Sequence, residues 1–179
     1  VNRVVILLGS NIDKETNLPE AVRLLLAGGG VAAVSSVYES IPVGLREQAN
    51  YFNAAVCLMT TQGAAELKLG LLSDIERRLK RVRLADKNAP RTIDCDIVLF
   101  NAECFDYPGP DGKMRRVPDP DLLRFAHAAM PVAELDSALP HPETGEPLGF
   151  IARRLYEAAL YDGRPVIWRR PDIQLPRPG

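Results

Sequence analysis

From Pro90 to Phe100 the chain reads PRTIDCDIVLF, an apolar run interrupted by two carboxylates one residue apart. Read as a strand, it sends Asp94 and Asp96 to one side of a sheet and Ile93, Cys95, Ile97 and Leu99 to the other. Two acids this close repel each other and tend to share a proton unless a cation lies between them. Mg²⁺ suits such a pair, because it takes one or two protein carboxylates and completes its shell with water and phosphate oxygens. A solvated strand end, or a partner for nearby arginines, would account for the same pattern.

This strand closes a series of periodic segments. Arg3 to Gly9 (RVVILLG) reads as a first strand, and Asn17 can cap a helix running through Leu18, Val22 and Leu25 to the glycines at Gly28, Gly29 and Gly30. Val31 to Glu39 and Tyr51 to Met59 read as a strand pair joined by a long loop, Ser40 to Asn50. A second helix is expected from about Ala64 to Lys80, with Leu67, Leu71, Ile75 and Leu79 forming its buried stripe. The order β-α-β-β-α-β predicts an α+β, ferredoxin-like arrangement, a four-stranded antiparallel sheet with helices on one face, plus C-terminal additions. Those additions are a turn at GPDGKMRR, a Pro-punctuated loop from Pro118 to Met130 with a short helical piece, a helix over Leu148 to Leu160, and an extended tail, 163–179. With 179 residues and 46% apolar composition, the chain is expected to form one domain, 1–179.

Charge and cysteine usage exclude several classes of function. A formal net charge of -1 gives no global basic surface for nucleic acid. No apolar run approaches the roughly 20 residues of a membrane span. Cys57, Cys95 and Cys104 show no metal-ligand spacing and read as ordinary thiols in a reducing, cytoplasmic setting. The local distribution is more informative. Arg77, Arg78, Lys80, Arg81, Arg83, Lys87 and Arg91 face a single acid, Asp86, across the segment that leads into Asp94. The first three fit a solvated helix face. Arg81, Arg83, Lys87 and Arg91 lie at the helix end and in the loop beyond, and a cationic loop beside a carboxylate pair is what a polyphosphate held by Mg²⁺ and arginines requires.

These residues carry a resemblance. LLGSN, VSSVYES.PVG, YFNAAV and above all R.R......PRTIDCDIVLF, in this order from Val4 to Glu134, resemble the 6-hydroxymethyl-7,8-dihydropterin pyrophosphokinases of folate biosynthesis. The resemblance implies transfer of a pyrophosphoryl group from ATP to a pterin hydroxymethyl, with two Mg²⁺ ions on Asp94 and Asp96. It places Arg81 and Arg91 on the phosphates, and Glu76, Arg83 and Ile97 beside ATP with Lys87 in the nucleotide-side loop. It also places Tyr51, Asn53, Ser40, Val43 and His127 around the pterin. The partners implied are ATP and a pterin alcohol, with no nucleic acid or membrane, acting on a monomer. For Gly9, Ser10 and Asn11 a turn beside the site is expected.

The chain also departs from its apparent relatives. Asn88 stands where they have the tryptophan of a mobile loop, Asp119 where they have a histidine, Phe125 at an arginine position with Arg124 adjacent, and His127 at the phenylalanine that sandwiches the pterin. A related pterin alcohol as acceptor and a catalytically weakened pterin-binding paralogue are therefore alternatives. An RNA-binding ferredoxin-like module is a third, but it needs exposed aromatics on the central strands, where only Tyr51 and Phe52 are available.

Overall fold

A computed structural model describes residues 1–44 and 47–179. Leu45 and Arg46, inside the loop expected between Ser40 and Asn50, lie outside the described residues. The sheet is antiparallel. Strands β1 (Asn2–Ser10), β4 (Tyr51–Thr60) and β5 (Asp94–Phe100) run side by side with β1 between the other two. The segment read as one strand before the long loop is two, β2 (Val31–Val34) and β3 (Tyr38–Ser40), both paired with β4. The spatial order β2/β3, β4, β1, β5 is that of a ferredoxin-like sheet, as the sequence predicts.

Alternation along β1 explains its unbroken apolar run. Val4, Ile6 and Leu8 face Leu18, Val22 and Leu25 of α1 (Lys14–Gly28), while Val5 belongs to the cluster on the opposite face. A strand covered on both sides has no polar face to show. Asn17 is not the helix cap. The helix starts a turn earlier, after Asp13, and the Asn17 amide donates instead to the Ile12 carbonyl at 2.7 Å.

The second helix is continuous but not uniform. Helix α2 (Ala64–Leu67) passes through a π turn, Lys68–Leu72, into α3 (Ser73–Arg78). The wider turn shifts the phase of the apolar stripe, so Lys68 and Leu72 are buried beside Leu67 and Ile75, whereas Leu71 and Leu79 are only partly covered. Lys80 adopts a left-handed conformation, φ 59°, and the Arg81 N–H then bonds back to the Glu76 carbonyl. That pattern closes the helix and turns Arg81 toward β5.

The C-terminal additions give the sheet a second helical layer. Helices α4 (Ala126–Leu135) and α5 (Leu148–Ala158) pack Ala128, Ala129, Val132 and Ile151 against Val5, Ala55 and Leu99. Leu99 thus lies opposite to its expected face. A register shift between Val5 and Ile6 leaves Val98 unpaired, and this bulge reverses the alternation beyond it. Among the described residues helices thus pack on both faces of the sheet. The turn at GPDGKMRR is the tip of a hairpin, β6 (Phe105–Pro108) with β7 (Met114–Val117). After the short hairpin β8 (Leu160–Tyr161) and β9 (Arg164–Pro165), the tail docks. Its strand β10 (Ile167–Arg169) pairs with β3, and Leu175 is buried in the main core. No described helix is long and apolar enough to cross a membrane.

Candidate active site

The ends of three strands meet at one edge of the molecule. Gly9 on β1 pairs with Asn53 on β4 and with Asp94 on β5, so Asn53 and Asp94 stand two strands apart, roughly 10 Å between their backbones. Cys95 and Ile97 point into the α1-side core. Asp94 and Asp96 therefore project to the opposite face, near the start of α4, and each lines both of two adjoining cavities.

The first cavity, about 360 Å³, is lined by Tyr51, Asn53, Ser40, Val43 and His127 together with the two acids. Asn53 is buried at 3% exposure and donates through Nδ2 to Ser40 Oγ at 2.7 Å. The Tyr51 ring lies under the Arg91 guanidinium, 5.9 Å from ring centroid to Cζ. Phe125 and His127 stack in parallel, 5.1 Å apart. Burial lowers the His127 imidazole to about 4, so it is a neutral aromatic plane near pH 7. A cavity lined by Tyr51, Phe125 and His127, with the buried Asn53 amide among its lining residues, is suited to a planar heterocycle with hydrogen-bonding edges.

The second cavity, about 410 Å³, collects Arg81, Arg83, Lys87 and Arg91 from the basic loop, and Lys113 and Arg115 from the β6–β7 hairpin. The hairpin cations were not singled out in the sequence, although the basic residues of GPDGKMRR were their only signal. Asp94 accepts from Arg81 Nη1 at 3.1 Å and from Arg91 Nη1 at 2.8 Å. Burial pushes Asp94 up, but Arg81, Arg91 and Lys68 outweigh it and hold the carboxyl well below its usual range. Asp96 is pushed up to about 6, first by burial and then by the charge of Asp94, with Lys68 opposing. Asp96 meets one cation, Lys68 at 3.2 Å, where Asp94 meets two arginines, and the donors of the pair are hard oxygens, which fits Mg²⁺. Among the described residues no group of three acids, histidines or cysteines could hold a metal, so the remaining ligands would come from water and substrate.

Glu76 and Ile97 line neither cavity. Ile97 belongs to the core. Glu76 is buried and accepts from the Cys95 N–H at 3.1 Å and from Arg83 at 2.7 Å, which makes it an anchor for β5 and for Arg83. Asp119 also lies outside both cavities, where its side chain caps the 3₁₀ turn Pro120–Leu123 by accepting from the Asp121 N–H. Gly9 and Ser10 complete β1 in place of the expected turn, and Asn11 follows directly after the strand. The Asn11 amide donates to Gln48 Oε1 at 2.7 Å and to the Ala49 carbonyl at 3.0 Å, and Gln48 donates to the Asn88 carbonyl at 2.7 Å. Both loops that flank the cavities are therefore tied to β1.

A model of the 7,8-dihydro-6-hydroxymethylpterin-pyrophosphokinase (HPPK) family matches residues 5–137. The chain is 41% identical over 137 residues to a Bacillus subtilis 2-amino-4-hydroxy-6-hydroxymethyldihydropteridine pyrophosphokinase, covering 75% of this chain and 78% of the relative. It is 30% identical over 142 residues to the Aquifex aeolicus protein of the same name, covering 79% and 84%. A crystal structure of Plasmodium falciparum HPPK-DHPS superposes with a TM-score of 0.73 at 11% identity over 94% of this chain, which shows the likeness of fold. The chain spans about half the length of that protein, 48%.

Proposed function

The chain belongs to the HPPK family, and on that premise we propose how its two cavities carry out pyrophosphoryl transfer from ATP to the hydroxymethyl group of 6-hydroxymethyl-7,8-dihydropterin, a step of folate biosynthesis. The observation that carries this reading is the shared wall: Asp94 and Asp96 border both the first cavity and the cationic one. The pterin occupies the first, with Tyr51 and His127 against its ring and Asn53 reading its edge. Ser40 fixes the Asn53 amide, and Val43 closes the rim. The triphosphate lies in the second, among Arg81, Arg83, Lys87 and Arg91.

The hydroxymethyl oxygen attacks the β-phosphorus of ATP in line. A new O–P bond forms, the bond from the β-phosphorus to the bridging oxygen of the α-phosphate breaks, AMP leaves, and the hydroxyl proton passes to solvent. Positioning and charge neutralisation supply most of the rate in such a transfer, so no strong general base is needed. Two Mg²⁺ ions held by Asp94 and Asp96, when bound, would lower the hydroxyl pKa and screen the phosphates. Arg81 and Arg91 neutralise charge on the transferred group, and the fork of each guanidinium can meet two oxygens. Their present bonds to Asp94 hold both beside the acid until phosphate arrives.

The test is AMP release from ATP and Mg²⁺ with and without 6-hydroxymethyl-7,8-dihydropterin. Pterin-dependent AMP at a rate well above the blank is expected. Pterin binding without AMP release would instead identify a pterin-binding protein that has lost transfer.

A further inference from the structure

We propose that Lys68 is a positioning residue for the transfer: its buried ammonium fixes Asp96 so that one carboxylate oxygen remains directed to the junction of the two cavities. The inference rests on the reading of Asp94 and Asp96 as the metal-binding pair.

Lys68 is 1% exposed, which is rare for lysine unless its charge is met. Nζ donates to the Cys95 carbonyl and to Asp96 Oδ1 at 3.2 Å, and Glu76 Oε1 stands 3.7 Å away as an ion-pair partner. The arrangement is centred on the residue between the two acids. β5 is the edge of the sheet, and at Cys95 its outward carbonyl accepts from Lys68 while its outward N–H donates to Glu76. Glu76 is held in turn by Arg83, which lines the phosphate-side cavity. One connected set of bonds thus runs from Asp96 through Lys68 and Glu76 to a phosphate-side arginine.

The helix supports the same conclusion. Lys68 stands four residues after the buried Ala64, on the core-facing side of the helix, and a π turn begins at that residue. Such single π turns cost stability and recur where a helix must present a functional side chain. A leucine at 68 would fill the space without a buried charge. The lysine engages Oδ1 of Asp96, a residue that lines both cavities, and among the described residues no side chain meets Oδ2.

The experiment compares Lys68→Met, Lys68→Gln and Asp96→Asn with the parent. Mn²⁺ binding is followed by electron paramagnetic resonance in the presence of α,β-methylene-ATP, and pterin affinity is measured by calorimetry without nucleotide. For a folded Lys68→Met, the metal concentration at half-saturation should rise at least tenfold and kcat should fall at least tenfold. Pterin affinity should stay within about twofold, a split that general loosening of the fold would not produce. Lys68→Gln keeps a donor for the Cys95 carbonyl, and should show the same metal defect if Lys68→Met does not fold. Metal affinity and kcat within twofold of the parent in either folded variant would overturn the proposal, as would failure of both variants to fold, which would make Lys68 structural. Asp96→Asn separates the two readings. If it too leaves metal binding intact, the metal assignment itself fails; if it alone abolishes binding, only the role of Lys68 is lost.

Discussion

Asn11 and Arg91 grip one another: Asn11 Oδ1 accepts from the Arg91 N–H at 2.8 Å, and the Asn11 N–H donates to the Arg91 carbonyl at 3.0 Å. The end of β1 thereby fixes the backbone from which the Arg91 guanidinium reaches Asp94. Asn11→Ala should destabilise the fold by about 1–3 kcal/mol through unmet buried partners. It should also lower kcat/KM for both substrates, because the same amide holds Gln48 and Ala49. Thermal unfolding and steady-state kinetics check this; a loss confined to one substrate would contradict it.

Asn53 gives a substrate-specific prediction. Asn53 lines the first cavity, and its amide is oriented by Ser40. Asn53→Ala should weaken pterin binding about tenfold or more, the scale of one buried hydrogen bond, and alter ATP-analogue binding far less. Calorimetry with each ligand decides it, and equal losses would make Asn53 structural.

Lys80 is a point of backbone strain. A non-glycine residue at φ 59° costs about 1–2 kcal/mol, partly returned by the greater flexibility of glycine when unfolded. Lys80→Gly should therefore raise stability by about 0.5–1 kcal/mol and leave activity intact. A lower melting temperature would show that the lysine side chain contributes more than the strain removes.

Asp119 predicts a pH dependence. Burial first, with the charges of Asp121, Asp96 and Asp94, raises its pKa from 3.8 to about 7 despite the Asp121 N–H. The folded state therefore binds this proton more tightly than the unfolded chain, and the group costs stability progressively as pH rises from about 3.8 to about 7. Asp119→Asn can keep the cap on Asp121. The variant should gain on the parent as pH increases, with the largest difference in melting temperature near pH 8. A difference independent of pH would show that Asp119 is ionised in both states.

Much of this was legible in the sequence because it rests on periodicity and nearest-neighbour rules. Alternation placed Asp94 and Asp96 on one face, and the segment order gave the sheet. The failures have physical causes. The bulge at Val98 depends on register with β1, which no local pattern encodes, and it reversed Leu99. The partners of the buried Lys68 ammonium, Cys95, Asp96 and Glu76, lie 8 to 28 positions away, so a helical repeat could not reveal them. Tail docking likewise depends on an edge, β3, that exists only once the sheet has formed. In the site, the basic loop and the acid pair were readable as charge, whereas the contribution of the β6–β7 hairpin and the anchoring role of Glu76 needed the fold.

The most direct test of the central claim is single-turnover AMP release at saturating pterin and Mg·ATP for Asp94→Asn and Asp96→Asn, each checked for native folding by circular dichroism. The account predicts a loss of at least about 10³-fold in the transfer rate for both, since each removes a charge that holds metal and phosphate at the junction, with pterin affinity changed far less. Transfer within tenfold of the parent in both folded variants would contradict it, and would mean that the reaction is organised elsewhere than on the shared wall of the two cavities.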